Sequence, residues 1–242
     1  MSEENRRQGR DQVVAIIGAM DEEVALIAKG LEGPIHDERS AQASLDVVRG
    51  SLQGASGPIQ VVATVGGMGT VNIAATTQYL MDTYRPDAVI FSGIAGNLNK
   101  DLHINDVVLG GTLRYLDTDM RMVAQFAPGT DEFHSDPHLL DLAQRALDTM
   151  GIKHLVGTIA TGNYFVDSAE KIAQVKEATG ADAVEMEGAA VCHVAARNHV
   201  PALVIRALSD NADTDYEVFR DFDISEYADT AARLVLNIAK GL

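Results

Sequence analysis

A chain of 242 residues with 46% apolar side chains is long enough to bury one sizeable core and reads as a single domain. Its 35 acidic against 19 basic side chains give a formal charge of −16, which repels phosphate backbones and anionic membranes and so counts against nucleic acid or a membrane as partner. A single cysteine, Cys192, excludes an internal disulfide framework and a cysteine-built zinc site, and its apolar surroundings point to core packing. No apolar run approaches the roughly 20 residues that span a bilayer, and the charged start lacks the apolar segment of a signal peptide, so the expected location is the cytoplasm.

Residues 1–12 are polar and read as a flexible tail, leaving 13–242 as one folded domain. The apolar run 13–17 predicts a buried strand, and a helix opens near Asp21. Residues 43–52 and 59–64 predict two strands of a hairpin or meander, joined across the turn-forming segment 54–58. A helix follows over 69–84, with Ile73, Leu80 and Tyr84 on one face. Strands are expected at 88–92 and 106–113, then a long loop to Pro137 and a helix to Met150 that Gly151 stops. Beyond come a strand at 153–160 and a helix at 168–179 ended by Gly180, with Asp167 and Glu170 supplying a capping signature. A short strand 183–185, a helix 188–198, a strand 202–208 and a last helix 225–240 complete the chain. Strands alternating with helices imply a three-layer α/β/α fold around a central mixed sheet.

Ligands of such sheets bind outside the carboxyl ends of strands, and five of the predicted strands end in unusual polar or glycine-rich sequence. These ends are Gly18–Glu23, Phe91–Gly96, Thr161–Val166, Glu185–Glu187 and Ser209–Asp213. A common crevice would gather Asp21, Glu22, Glu23, Glu185, Glu187, Asp210 and Asp213. Carboxylates crowded in a partly desolvated cleft raise one another's pKa, which suits one as general acid and another as general base. Simpler readings stand beside this one. Asp21, Glu22 and Glu23 open a helix, where the macrodipole favours acidic side chains, and Asp210 has the place of an N-terminal cap. Gly66–Gly69 and Gly93–Gly96 would let backbone approach a ligand, yet they match neither the dinucleotide nor the phosphate-loop spacing and serve equally as tight turns. The seven histidines show no metal-ligand spacing, and no metal is expected.

Five motifs in this order resemble the methylthioadenosine/S-adenosylhomocysteine nucleosidases of the nucleoside phosphorylase superfamily: IGAMDEEV at 17–24, GMGTVNIAATT at 67–77, SGIAGN at 92–97, VEMEGAA at 184–190 and RALSDNAD at 206–213. The resemblance runs from about Val13 to Lys240. It implies a nucleoside phosphorylase-like fold and hydrolysis of the N-glycosidic bond of an adenine thio-nucleoside, with no cofactor. Position by position, Glu23 resembles the base that activates water, and Asp210 the acid that protonates purine N7, with Ser209 orienting it. Glu187 would bind the ribose hydroxyls, with Glu185 nearby and Met186 packed on the sugar. Phe165 would stack on adenine, the Val166 backbone would meet its Watson–Crick edge, and Ala95 and Gly96 would line the site. Arg206 would orient the acids, and Met20 and Met68 would face the water and the 5′-substituent. Phe219 or Phe222 would close the pocket, and Tyr115 reads as core.

The same resemblance implies a homodimer in which Met120 and Val123 of the 120–126 loop reach the partner's pocket. Three positions depart from the pattern. Ile94 stands where a small hydroxyl residue is common, Asn163 where aspartate is common, and the 120–126 loop is short of aromatics. The rival reading within the fold is a phosphorylase, which needs a cationic anion site; the first motif offers three acids there, and Arg85 precedes its strand and should lie at the opposite end of the sheet. A catalytically silent nucleoside binder and a dinucleotide oxidoreductase fit less well, the first against the joint presence of Glu23 and Asp210, the second for want of a glycine fingerprint.

Overall fold

The structure, a computed structural model, describes residues 11–212 and 225–242. The expected tail, apart from Asp11 and Gln12, lies outside the described residues, as do Asp213, Phe219 and Phe222. The strands are β1 (Gln12–Gly18), β2 (Glu32–His36), β3 (Val48–Gln53), β4 (Pro58–Val65), β5 (Ala88–Asn97), β6 (Val107–Tyr115), β7 (His154–Thr161), β8 (Ala183–Glu185) and β9 (Ala202–Asp210). The helices are α1 (Asp21–Lys29), α2 (Thr70–Tyr84), α3 (Met120–Val123), α4 (Pro137–Met150), α5 (Ala169–Thr179), α6 (Gly188–Arg197) and α7 (Ser225–Lys240). The expected three-layer α/β architecture with a mixed sheet is the one observed.

Period-two alternation builds both cores. Along β1, Val14 and Ile16 enter the core beneath α1, α4 and α7, while Ala15 and Ile17 enter the core beneath α2 and α6. A strand covered on both faces must be apolar at every position, which is why 13–17 reads as an unbroken run. Local chemistry fixes several helix ends. Asp136 accepts from the amides of His138 (2.9 Å) and Leu139 (3.1 Å) ahead of Pro137, and Gly151 closes α4 at φ 68°. At α5 the cap is Ser168, whose side chain accepts from the Lys171 amide, and the expected capping residue Asp167 instead pairs with the Lys171 ammonium at 2.7 Å.

Two further expectations are corrected, and one strand is added that the sequence reading did not place. The strand expected at 43–52 begins only at Val48, because residues 38–43 form a 3-10 helix. Glu32–His36 forms a strand that the sequence conceals: it pairs only with β3, all five residues are exposed, and a sheet edge tolerates its glycine and proline. Most consequential, β5 does not stop at Ser92 but runs on through the glycine-rich segment to Asn97.

That extension shapes the molecule. The first half of β5 pairs in parallel with β1, then Val89–Gly96 pairs in parallel with β9, and Gly96 and Asn97 pair antiparallel with β8. Because β9 also pairs with β6, β6 with β7, and β7 with β8, five strands close into a ring at one end of the sheet. Strands β1, β4, β5 and β9 run one way and β6, β7 and β8 the other. The two sets overlap near Gly96 and Val184, so both deliver their carboxyl ends to one cavity.

Candidate active site

The cavity has a volume of about 550 Å³, within the usual range for a small-molecule site. All five strand ends singled out in the sequence reach it: Gly18 and Ala19 at the end of β1, Gly93–Gly96 in β5, Asn163–Val166 after β7, Val184–Glu187 at β8, and Arg206, Ser209 and Asp210 in β9. Gly66, Gly67 and Met68, after β4, complete the wall. Met68 stands at the rim, 66% exposed.

At the β9 end, Asp210 is held on both oxygens. Ser209 Oγ lies 2.8 Å from Oδ2, and the Ala212 amide donates to Oδ1 at 2.6 Å. The carboxyl is thus fixed beside Ala95 and Gly96, where glycine leaves room for it: a Cβ on Gly96 would stand 3.3 Å from Asp210 Oδ1. Phe165 and Val166 share this cavity, with Val166 buried.

Glu185 and Glu187 differ in what they leave free. Glu185 is buried and fully engaged: it accepts from Thr161 Oγ1, from the amides of Glu187 (3.1 Å) and Gly188 (2.7 Å), and from Arg206 Nη2 at 2.5 Å. Its place is therefore that of a brace beneath the site. Glu187 is anchored through one oxygen to the amide of Gly69 at 2.7 Å, just ahead of α2, and its other oxygen lies 3.9 Å from Arg206. Burial, and then the neighbouring Glu185 charge, raises the Glu187 carboxyl well above the usual range, against the lowering pull of Arg206 and the Gly69 amide. Met186 lies between the two acids on the same wall.

Glu23 is the most secluded acid. It has no solvent exposure, and its Oε2 accepts from the Ala19 amide at 3.1 Å. Burial pushes its carboxyl up to about 7, with the Ala19 amide, the Ser92 hydroxyl and the Arg206 charge opposing but not overcoming the shift. It lines a smaller chamber of about 180 Å³, shared with Met20 and Ser92 and bordered by Gly93 and Ile94, which also border the main cavity. Met20 packs there against Tyr227 and Ala228, not on the main cavity wall. Asp21 and Glu22, by contrast, are exposed on the first turn of α1.

Met120 and Val123, in α3, do not line the cavity of their own chain. Arg85 caps α2 at φ 48°, just ahead of β5 and so at the end of the sheet opposite the cavity. Tyr115 is packed edge-on against Phe133 and His193, in agreement with a core role. Sequence reasoning missed Thr161 and Ser92. Both are buried hydroxyls, Ser92 the one hydroxyl of β5 and Thr161 the last residue of β7, and a buried hydroxyl must find a partner; that was the available signal.

The family model described as the Phosphorylase superfamily matches residues 13–240. A 5′-methylthioadenosine/S-adenosylhomocysteine nucleosidase of Shewanella pealeana is 36% identical over 216 residues, covering 87% of this chain and 90% of that protein. Its counterpart in Bacillus subtilis is 34% identical over 234 residues, 94% of this chain and 98% of that protein. Among solved structures, the nucleosidase of the same name from Neisseria meningitidis, in complex with methylthio-immucillin-A, superposes with a TM-score of 0.85 at 31% identity over 96% of this chain and all (100%) of that one. Futalosine hydrolase of Helicobacter pylori reaches a TM-score of 0.81 at 29% identity, covering 96% of this chain and 98% of that one. With its motifs, its fold and these relatives in agreement, this chain belongs to the phosphorylase superfamily and, within it, to the 5′-methylthioadenosine/S-adenosylhomocysteine nucleosidase family.

Proposed function

We propose that this protein hydrolyses the N-glycosidic bond of 5′-methylthioadenosine and S-adenosylhomocysteine, and by the same route 5′-deoxyadenosine, releasing adenine and the 5′-substituted ribose in the cytoplasm without metal or cofactor. The observation that carries hydrolysis over phosphorolysis is electrostatic. Arg206 is the one basic side chain among the described residues lining the cavity, and its Nε and Nη2 are bound to Glu185 at 3.1 and 2.5 Å. An attacking phosphate would need free cationic or amide donors, and this wall offers it carboxylates.

In this reading the purine stacks on Phe165, with its edge at the Val166 backbone. Asp210, steadied by Ser209 and Ala212, protonates N7, so that adenine departs as a neutral base. Glu187 meets the ribose hydroxyls and Met186 packs on the ring. Positive charge that develops on the sugar in the transition state is matched by these carboxylates, and only there, which is what lowers the barrier. Glu23, with a carboxyl poised near neutrality, takes the proton of the attacking water.

The active form in this proposal is a homodimer, with Met120 and Val123 of one subunit closing the 5′ side of the other's pocket. Supporting it, Met122 and Phe126 in the same segment are exposed by 62% and 73%, an unusual apolar display for a lone subunit. Light scattering behind size exclusion reads the state directly, a monomer at working concentration being the contrary result. No helix among the described residues is long and apolar enough to cross a membrane.

The deciding assay is adenine release from 5′-methylthioadenosine in phosphate-free buffer, matched with added phosphate. Free methylthioribose without phosphate establishes the hydrolase. Strict phosphate dependence with a sugar 1-phosphate product makes it a phosphorylase, and no adenine in either buffer removes the reading altogether.

A further inference from the structure

Helix α2 opens with no capping side chain of its own, because its N-cap is Gly69, at φ 87°. The amides there are satisfied by segments remote in sequence. Gly69 donates to Glu187, and Thr70 donates through both its amide (3.0 Å) and its hydroxyl (2.9 Å) to Oδ1 of Asn163. Asn163 in turn donates to Oδ2 of Asp117 through its own amide (2.7 Å) and its Nδ2 (3.3 Å). One side chain thereby joins the start of α2, the loop after β7 that carries Phe165, and the segment after β6 that leads to α3.

We propose that Asn163 is a positioning residue for the reaction: its carboxamide holds the α2 start, and with it the Gly69 amide on Glu187, in register with the loop that carries Phe165. It acts on bound nucleoside through those two groups, fixing the ribose end of the site relative to the purine end. The carboxamide matches both neighbours: toward α2 it accepts, and toward Asp117 it donates, which an amide does with its two ends. A carboxylate, the head group that the family resemblance leads one to expect here, would keep the contacts with Thr70 and give up the Nδ2 contact with Asp117.

This inference rests on the nucleosidase reading for what occupies the cavity, but the join it describes exists without substrate. The test compares wild type, Asn163→Ala, which removes both the acceptor for Thr70 and the donor to Asp117, and Asn163→Asp, which keeps the acceptor. Two readouts are taken: kcat and KM for 5′-methylthioadenosine, and hydrogen exchange of the amides at 69, 70 and 163 in the free protein. Asn163→Ala is expected to raise KM roughly tenfold with kcat changed less than about threefold, the size of effect expected from losing about two modest hydrogen bonds. Amide exchange at 69 and 70 should accelerate by a similar factor, and Asn163→Asp should stay closer to wild type in both readouts. An Asn163→Ala variant with wild-type KM and wild-type amide protection overturns the proposal, as does an Asn163→Asp variant that loses as much as Asn163→Ala. If wild type itself releases no adenine, the nucleosidase reading falls, while amide exchange still decides whether Asn163 holds the join.

Discussion

A Cβ added to Gly93 would stand 2.7 Å from Nη1 of Arg206, closer than such atoms approach in real proteins. Arg206 is 1% exposed and lies over the Phe91 ring at 4.0 Å, with Glu185 bound to its other nitrogens. The guanidinium therefore has no direction in which to retreat. Gly93→Ala is expected to lower unfolding free energy by about 1–3 kcal/mol, the usual range for overpacking, and to reduce kcat/KM by at least about tenfold as the buried ion pair is displaced. Denaturant unfolding and steady-state kinetics check both, and a variant indistinguishable from wild type would mean that the slot relaxes freely.

Glu23 links stability and turnover with opposite signs. Its folded-state pKa is raised from 4.5 to about 7, so the folded protein holds this proton more tightly than the unfolded chain does. The resulting stability is fully present below pH 4.5 and is lost as pH rises through 7, where a buried carboxylate must be tolerated. Glu23→Gln removes that burden. Its stability relative to wild type should climb between those pH values and level off above, by on the order of 3 kcal/mol for a shift of this size. Turnover should fall at least ~100-fold, as expected for a lost general base. Thermal melts across pH that stay parallel for the two proteins would contradict the raised pKa.

The same carboxyl sets a pH dependence of activity. A base must be unprotonated to act, so kcat/KM of the wild type should rise with pH through an acidic limb centred near 7. Glu187, also raised, faces Glu185 and Arg206 and contributes to the same limb. A profile that is flat from pH 5 to 8 would remove Glu23 from the role of base.

Asp210→Asn keeps the shape of the side chain and its contacts with Ser209 and Ala212 but cannot pass a proton to the purine. Turnover should drop at least ~100-fold with substrate still bound, whereas Ser209→Ala, which removes one hydrogen bond to the acid, should lower it only about tenfold. Equal losses in the two variants would shift the emphasis from proton donation to the geometry of the strand end.

Phe165→Ala should weaken substrate binding by about three- to tenfold through lost stacking, seen in KM more than in kcat. A loss confined to kcat would move the purine away from this ring.

Several of these residues were legible one by one. Glu185, Glu187 and Asp210 each follow an apolar strand, and the resemblance carried by the motifs around them named Glu23 and Asp210 as the reacting pair. What they do to one another was not legible. Glu185 looks like a ligand-facing acid in the sequence, and only the fold reveals that Thr161, Arg206 and two amides occupy it. By charge and position on α1 Glu23 looks like one of three equivalent acids, and packing supplies the physical difference, leaving Asp21 and Glu22 in water and driving Glu23 into its own chamber.

The sequence by itself determined the order of the buried strands and the longer helices, the apolar faces and the places where polar groups end a strand, because these depend on periodicity and on neighbours along the chain. Only the tertiary structure decided that β5 continues past Ser92 to Asn97. Glycine-rich sequence has little preference of its own, and the pairing of β5 with β9 and β8, more than 80 residues away, supplies the hydrogen bonds that hold it extended. Closing that ring brings β5, β8 and β9 together, and with them Gly93, Glu185 and Arg206, because a contact between distant residues is fixed by which surfaces pack and not by the spacing between them.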